Sequence, residues 1–176
     1  MVEITLSKGQ VALVDDEDAP RIRAFKWCAG WNESSRTYYA YRGISPAKSP
    51  TGKFRLVLMH RFILGIEHGD PRKVDHRDHN GLNNQKENIR ACTHSRNMQN
   101  ANSTYRPQKS KFKGVTSPHN RWLAQIKVQG KLVRLGTFTT EEEAALAYDR
   151  AAIIHFGEFA LTNATLFPEL LKAGVA

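Results

Sequence analysis

The stretch from Val74 to Asn97, VDHRDHNGLNNQKENIRACTHSRN, concentrates residue types that can do acid–base and metal chemistry. Asp75 and His76 stand side by side after a short apolar approach, at the end of an expected strand. Neighbours on a strand point to opposite faces, so one group can be aimed at a metal and the other at a water. Histidine is the side chain suited to taking a proton near neutral pH, because its unperturbed pKa is about 6.5. The polar excursion that follows contains Asn80-Gly81, a strong hairpin signal. The chain returns through Ile89, Arg90 and Ala91 as a second strand, and Thr93 is placed to cap a helix starting at His94. Asn97 then falls about one turn into that helix, where its side chain can face back toward Asp75 and His76.

In this order and spacing the segment resembles the HNH (His-Asn-His) endonuclease motif, in the variant of phage and intron-encoded homing endonucleases whose last residue is Asn. The resemblance implies His76 as general base, Asp75 and Asn97 as ligands of a single divalent metal, and Asn88 as a structural residue tying the two strands together. LMHRFILG, Leu58 to Gly65, looks like the His-Arg helix that precedes the motif, which makes His60 a secondary candidate. Phosphodiester hydrolysis needs a nucleophilic water, charge stabilisation at the phosphate and help for the leaving 3′-oxygen. A hard cation such as magnesium, with manganese the alternative, keeps several waters and takes only one or two protein oxygens, which Asp75 and the Asn97 amide can supply. His68, His79 and His94 are read as surface or hydrogen-bonded residues.

The remainder of the chain must deliver a substrate to that segment. With 176 residues, a formal charge of +9 and a pI near 9.8, the composition points to a polyanionic partner. The longest apolar run, near Leu56 to Ile66, is interrupted by His60 and Arg61 and falls short of the roughly 20 residues that span a bilayer, so no membrane partner is expected. Acidic residues crowd Asp15 to Asp18 where a signal peptide would be apolar, which implies an intracellular, cytoplasmic protein of a bacterial or phage-infected cell. Cys28 and Cys92 fit a reducing compartment and form no Cys-x-x-Cys pair, so no structural zinc is expected.

Before the motif, VEITL, QVALV and TYYAYRG alternate as strands do. Trp27, Trp31, Tyr38, Tyr39 and Tyr41 are expected to pack as one aromatic core on a small sheet. Around the motif, Arg61, Arg72, Lys73, Arg77, Arg90 and Arg96 are candidate phosphate contacts. After it, STYRPQKS, Ser103 to Ser110, has the composition of a linker.

From Arg106 to Phe138 there are 8 Lys/Arg and no Asp or Glu, a one-signed surface suited to DNA. KGVTS, RWLAQIKVQ and KLVRLGTF read as three strands. In the second, Arg121, Leu123, Gln125 and Lys127 form a polar face opposite Trp122, Ala124, Ile126 and Val128. Thr140-x-x-Glu143 is a capping box for a helix whose Ala144, Ala147, Tyr148, Ala151 and Ala152 can lie close on the sheet, and Gly157 ends it.

The words SKFKGV, RWLAQI, LGTF, EEAALAYDRAA and FGEFALTN resemble the Apetala-two/ethylene-response-factor (AP2/ERF) DNA-binding domain over Ser110 to Asn163. That resemblance implies a sheet laid in the major groove, with Lys113, Arg121, Trp122, Gln125, Lys127 and Arg134 at the DNA-contacting positions. For Trp122, sheet packing and DNA contact are equally weighted. Thr116, Gln125 and Arg134 depart from the plant domains' usual Arg, Glu and Trp, so the plant recognition sequence does not carry over.

The expected fold class is therefore α+β. A small N-terminal β-rich region covers residues 1–55, and a central ββα-metal (HNH, His-Me finger) module covers 56–105. A linker at 106–109 leads to a three-stranded antiparallel sheet packed on one helix over 110–165, with a tail at 166–176. The expected function is a homing-type, metal-dependent DNA endonuclease acting on double-stranded DNA as a monomer or weak dimer, and nicking because one site cuts one strand. The alternative is a non-catalytic, sequence-specific DNA-binding regulator, and a weaker rival is an RNA-directed enzyme.

Overall fold

Short runs of β-branched and apolar residues open the chain as a hairpin. Val2–Thr5 (β1) and Val11–Val14 (β2) pair antiparallel, from Val2 opposite Val14 to Thr5 opposite Val11. The computed structural model describes residues 1–101 and 109–173. The chain divides into two units, Met1–Asn97 and Met98–Ala176. The linker expected at 106–109 lies, apart from Lys109, outside the described residues, as does Arg106.

In the first unit the hairpin is followed by a short helix, Ala19–Arg23 (α1), and a three-stranded antiparallel sheet of Cys28–Asn32 (β3), Thr37–Ile44 (β4) and Arg55–Leu58 (β5) with β4 central. A single-turn helix, Met59–Ile63 (α2), leads into a second antiparallel pair, Lys73–His76 (β6) and Ile89–Cys92 (β7), and then helix His94–Asn100 (α3). The order strand, loop, strand, helix expected over the motif is present. Thr93 caps α3 as expected: its Oγ1 accepts from the Arg96 N–H at 3.3 Å and its carbonyl from the Asn97 N–H at 3.0 Å.

One apolar cluster joins Ile4, Val14 and Ile22 to Trp27, Met59, Ile63, Leu82 and Ile89. Residues 1–55 and the motif thus share a core, and the boundary placed at residue 55 separates no units. Trp27 is in that core, but Trp31 is 49% exposed, meeting the edge of Tyr38 at 5.1 Å between ring centroids and donating its indole N–H to Glu33 at 2.7 Å. The expected single aromatic core is therefore split.

The second unit is an antiparallel sheet of Val115–Thr116 (β8), Trp122–Val128 (β9) and Lys131–Phe138 (β10) in the order β10-β9-β8, covered by the helix Glu141–Phe156 (α4). The Thr140 hydroxyl accepts from the Glu143 N–H, and the Glu143 carboxylate accepts from the Thr140 N–H, which is the reciprocal box read from the sequence. Ala144, Ala145, Ala152 and Tyr148 are buried against the sheet. Small side chains here let helix and sheet approach closely, and at Gly114 a Cβ would fall 2.0 Å from the Tyr148 ring. Asn163–Leu166 (α5) and Leu170–Ala173 (α6) close the unit.

Candidate active site and nucleic-acid interface

Asp75 and His76 end β6, and both are 5% exposed. Antiparallel register sets Asp75 opposite Arg90 and His76 opposite Ile89. Arg90 closes on Asp75 with Nε 2.8 Å and Nη2 2.7 Å from Oδ2, in a pair whose side chains are themselves almost fully enclosed. Arg90, counted above among phosphate contacts, is instead the partner of the motif's carboxylate.

The His76 ring is held in a cluster of rings. It lies 5.0 Å from the His60 ring and 5.7 Å from the Tyr39 ring, and Tyr39 and His60 are 5.6 Å apart, with His60 buried on α2 and Tyr39 half-buried on β4. Burial pushes the His76 pKa below the ordinary histidine value, partly offset by the polar Asn84 side chain and by the negative charges of Asp78 and Asp75. His60 is pushed further down, first by burial and then by His76 and Arg61. Both imidazoles are therefore neutral near pH 7.

Asn88 ties down the loop between the strands. Its Nδ2 donates to Asp78 Oδ1 at 2.9 Å and to the Asn83 carbonyl at 2.8 Å, while its Oδ1 accepts from the Asp78 N–H at 3.1 Å. The expected Asn-Gly hairpin turn is not formed. The left-handed residue is His79, at φ 62°, and Asn80 accepts from the Leu82 N–H through its side chain. Gly81 is needed for a different reason: a Cβ there would sit 2.5 Å from the Tyr38 carbonyl oxygen and 2.6 Å from the Tyr39 ring. The glycine lets the loop pass against the strand that carries Tyr39.

Asn84, fully buried, is fixed by its N–H to the Leu13 carbonyl at 2.8 Å and by Nδ2 to the Leu82 carbonyl at 3.0 Å. The N-terminal hairpin thereby braces the residue whose side chain lies beside His76. Asn97 lies half-buried in α3, a few residues after β7. Among the described residues no group of three His, Cys, Asp or Glu side chains forms a metal cluster. Of the remaining motif arginines, Arg61 donates to the carbonyls of Arg72, Glu67 and Asp70, and Arg72 pairs with Asp70. Tyr39, Asn84 and the role of Arg90 were missed in the sequence. Only the strand register and the loop path reveal them.

On the second unit, Arg121, Leu123, Gln125, Leu132, Arg134 and Thr137 line a shallow groove of ≈ 580 Å³ on the outer face of the sheet. Arg134 is opposite Gln125 in register, and Arg121, Lys127 and Arg134 are exposed. Two of the six expected contact residues do not belong to this face. Trp122 points to the helix side and packs on the core of Phe112, Val115 and Ala124. Lys113 is 8% exposed, and its ammonium donates to the carbonyls of Gln99 at 2.7 Å and Ala101 at 2.9 Å. Burial lowers the Lys113 pKa to about 8, with Asp149 acting in the opposite direction. The Lys113 backbone is held in turn by the buried Asn163 side chain, whose Oδ1 accepts from the Lys113 N–H at 2.6 Å.

Compared with known proteins, the chain is 34% identical over 161 residues, 89% of its own length and 76% of the other's, to an uncharacterized HNH endonuclease of Acanthamoeba polyphaga mimivirus. The chain belongs to the HNH endonuclease family. It is also 41% identical over 104 residues to the ethylene-responsive transcription factor ERF069 of Arabidopsis thaliana, covering 56% of this chain and 58% of that protein. A second Arabidopsis thaliana ethylene-responsive transcription factor, WRI1, is 47% identical over 73 residues, 38% of this chain and 17% of that protein. This HNH chain thus spans less than two thirds of either plant factor, and it joins an HNH endonuclease sequence to an AP2/ERF-like segment. No family model matches the chain. No helix among the described residues is long and apolar enough to cross a membrane.

Proposed function

We infer that the chain is a DNA endonuclease that hydrolyses phosphodiester bonds in duplex DNA, with His76 as general base and a divalent metal ion held by Asp75 and Asn97. The observation that carries this reading is His76 itself: a buried imidazole, kept neutral near pH 7, beside a buried carboxylate in a chain of the HNH family. A neutral imidazole can accept the proton of an attacking water, and a positioned base of this kind contributes typically 10²–10⁴-fold. The ring packing of Tyr39 and His60 holds the imidazole plane, so little orientational freedom is lost as the proton moves.

The donor set suits a hard cation. One carboxylate and one amide oxygen leave room for the waters that magnesium keeps, and manganese accepts the same ligands. When bound, such an ion supplies charge stabilisation at the phosphate and at the leaving 3′-oxygen. Arg90 fixes the orientation of the Asp75 carboxylate through Oδ2. Duplex DNA is held by the outer face of the second unit's sheet, through Arg121, Gln125, Lys127 and Arg134, with Lys113 and Trp122 supporting that face from within. A single site of this kind cuts one strand, so the product of a monomer is a nick. The setting is the interior of a cell, where the substrate is.

Incubation of the full chain with supercoiled plasmid carrying phage or host genomic fragments, in magnesium and in chelator, tests the reading. Metal-dependent conversion to open circle is expected. Tight binding with no relaxation on any fragment would make the protein a DNA-binding regulator instead, and preferential competition by RNA over duplex DNA would move the substrate class.

A further inference from the structure

Four arginines of the first unit are engaged within the fold. Arg21 is bound to Asp18, Arg72 to Asp70 and Arg90 to Asp75, while Arg61 is spent on three carbonyls. Arg42 and Arg55 differ. Neither side chain makes a hydrogen bond or ion pair with any described residue, and the Nε of each is buried without an acceptor. Burying a charged donor with nothing to accept from it costs free energy that an anion would return.

The two arginines are neighbours by register. Arg42 on β4 is opposite Val57, and Ile44 is opposite Arg55 at the start of the edge strand β5, so the arginines are diagonal partners on one face. Diagonal pairs have Cα atoms about 7–8 Å apart, within reach of one shared anion for long side chains. Arg42 is also pre-oriented: its guanidinium carbon stands 3.8 Å from the Phe25 ring centroid, with Phe62 at 5.4 Å and Trp27 at 5.7 Å. Aromatic faces hold the planar group in place while leaving its N–H edge available to an acceptor, the arrangement suited to forked recognition of phosphate. Burial lowers the Arg42 pKa and no carboxylate counters it.

We propose that Arg42 and Arg55 form a phosphate-binding subsite that anchors the DNA backbone at a point away from the scissile bond. Strand alternation places Arg42 on the face of β4 opposite to Tyr39, which belongs to the His76 cluster, so the anchored phosphate is not the one being cut. The subsite therefore strengthens binding without entering the chemistry, and it gives a role to a region for which no other contact has been assigned. The DNA assignment rests on the nuclease reading; the anion site does not.

The full chain and its Arg42→Gln/Arg55→Gln variant are compared in two measurements, with Arg42→Lys/Arg55→Lys retaining charge and Arg55→Gln alone as the variant least able to disturb folding. In duplex binding titrated with salt, the glutamine pair is expected to weaken affinity about tenfold or more and to flatten the slope of log K against log salt by about one to two, with Arg55→Gln giving part of the effect and the lysine pair retaining most of the slope. In thermal unfolding, inorganic phosphate is expected to raise the wild-type midpoint above that in chloride of equal ionic strength, and this increment is lost in the glutamine variants. An unchanged salt slope in folded variants of a chain that still cleaves DNA overturns the subsite and leaves the nuclease standing. Phosphate stabilisation without any DNA effect also overturns it, in favour of a free phosphate site. Should wild type neither bind nor cut DNA, the nuclease reading falls, while the phosphate measurement still decides whether the arginines hold an anion.

Discussion

Arg90 and Asp75 face each other across β6 and β7, and two nitrogens of the guanidinium converge on one carboxylate oxygen, Oδ2. Both side chains are enclosed, so the pair behaves as a buried ion pair. Removing one partner leaves the other as an uncompensated buried charge. Arg90→Ala is expected to destabilise the first unit by about 3 kcal/mol and to abolish cleavage through the displaced carboxylate. Asp75→Asn, which keeps the volume and an acceptor, is expected to cost less stability while removing cleavage equally. Urea unfolding together with plasmid cleavage checks both.

Gly81 is a steric prediction. A methyl group there meets the Tyr38 carbonyl and the Tyr39 ring, both nearer than any real contact. Gly81→Ala should cost about 2 kcal/mol or more and push Tyr39 off His76, lowering the cleavage rate. Gly9 is the control, since a Cβ there would meet nothing within 4 Å while its φ of 67° is left-handed. Gly9→Ala should lose stability from backbone strain, with cleavage unaffected.

The second unit carries a pH signature. The Lys113 pKa falls from 10.5 in the unfolded chain to about 8 in the fold. Between those values the unfolded state holds the proton and the folded state has shed it, so stability rises with pH across that window. The full effect is up to about 3 kcal/mol, reduced by the carbonyls of Gln99 and Ala101, which favour the charged form. Hydrogen exchange of α4 amides in the wild type and in Lys113→Met, followed from pH 7 to above pH 10, should show the slope in the former and its loss in the latter.

The DNA face separates by residue. Arg121→Ala and Arg134→Ala should each flatten the salt dependence of duplex binding by about 0.9, since each gives up a phosphate contact. Trp122→Phe and Lys113→Met should leave that slope unchanged and appear in stability instead, because Trp122 packs on the helix side of the sheet and the Lys113 ammonium is enclosed by the Gln99 and Ala101 carbonyls. Measured slopes for the four variants check the assignment.

How much of this was legible in the sequence depends on whether the signal is local. The Thr140-Glu143 box, the alternation in RWLAQIKV and the Asp75-His76 strand with Thr93 after it are local patterns of capping and periodicity, and they fold as written. What the sequence hid depends on pairing at a distance. Nothing local tells that Arg90 faces Asp75 rather than a phosphate, that Tyr39 reaches His76, or that Leu13 braces Asn84. The resemblance to the AP2/ERF domain likewise set Lys113 on the DNA surface, although Asn163 and the Gln99 and Ala101 carbonyls hold it inside. Gly81 shows the converse error, a glycine read for turn freedom that is required for a close approach.

The central claim is that His76 takes the proton of the attacking water. Single-turnover cleavage in magnesium by wild type and His76→Ala, at protein concentrations giving equal DNA occupancy, tests it most directly. The account predicts a fall of about a hundredfold or more in the variant with DNA affinity retained. Cleavage by His76→Ala at the wild-type rate would contradict it.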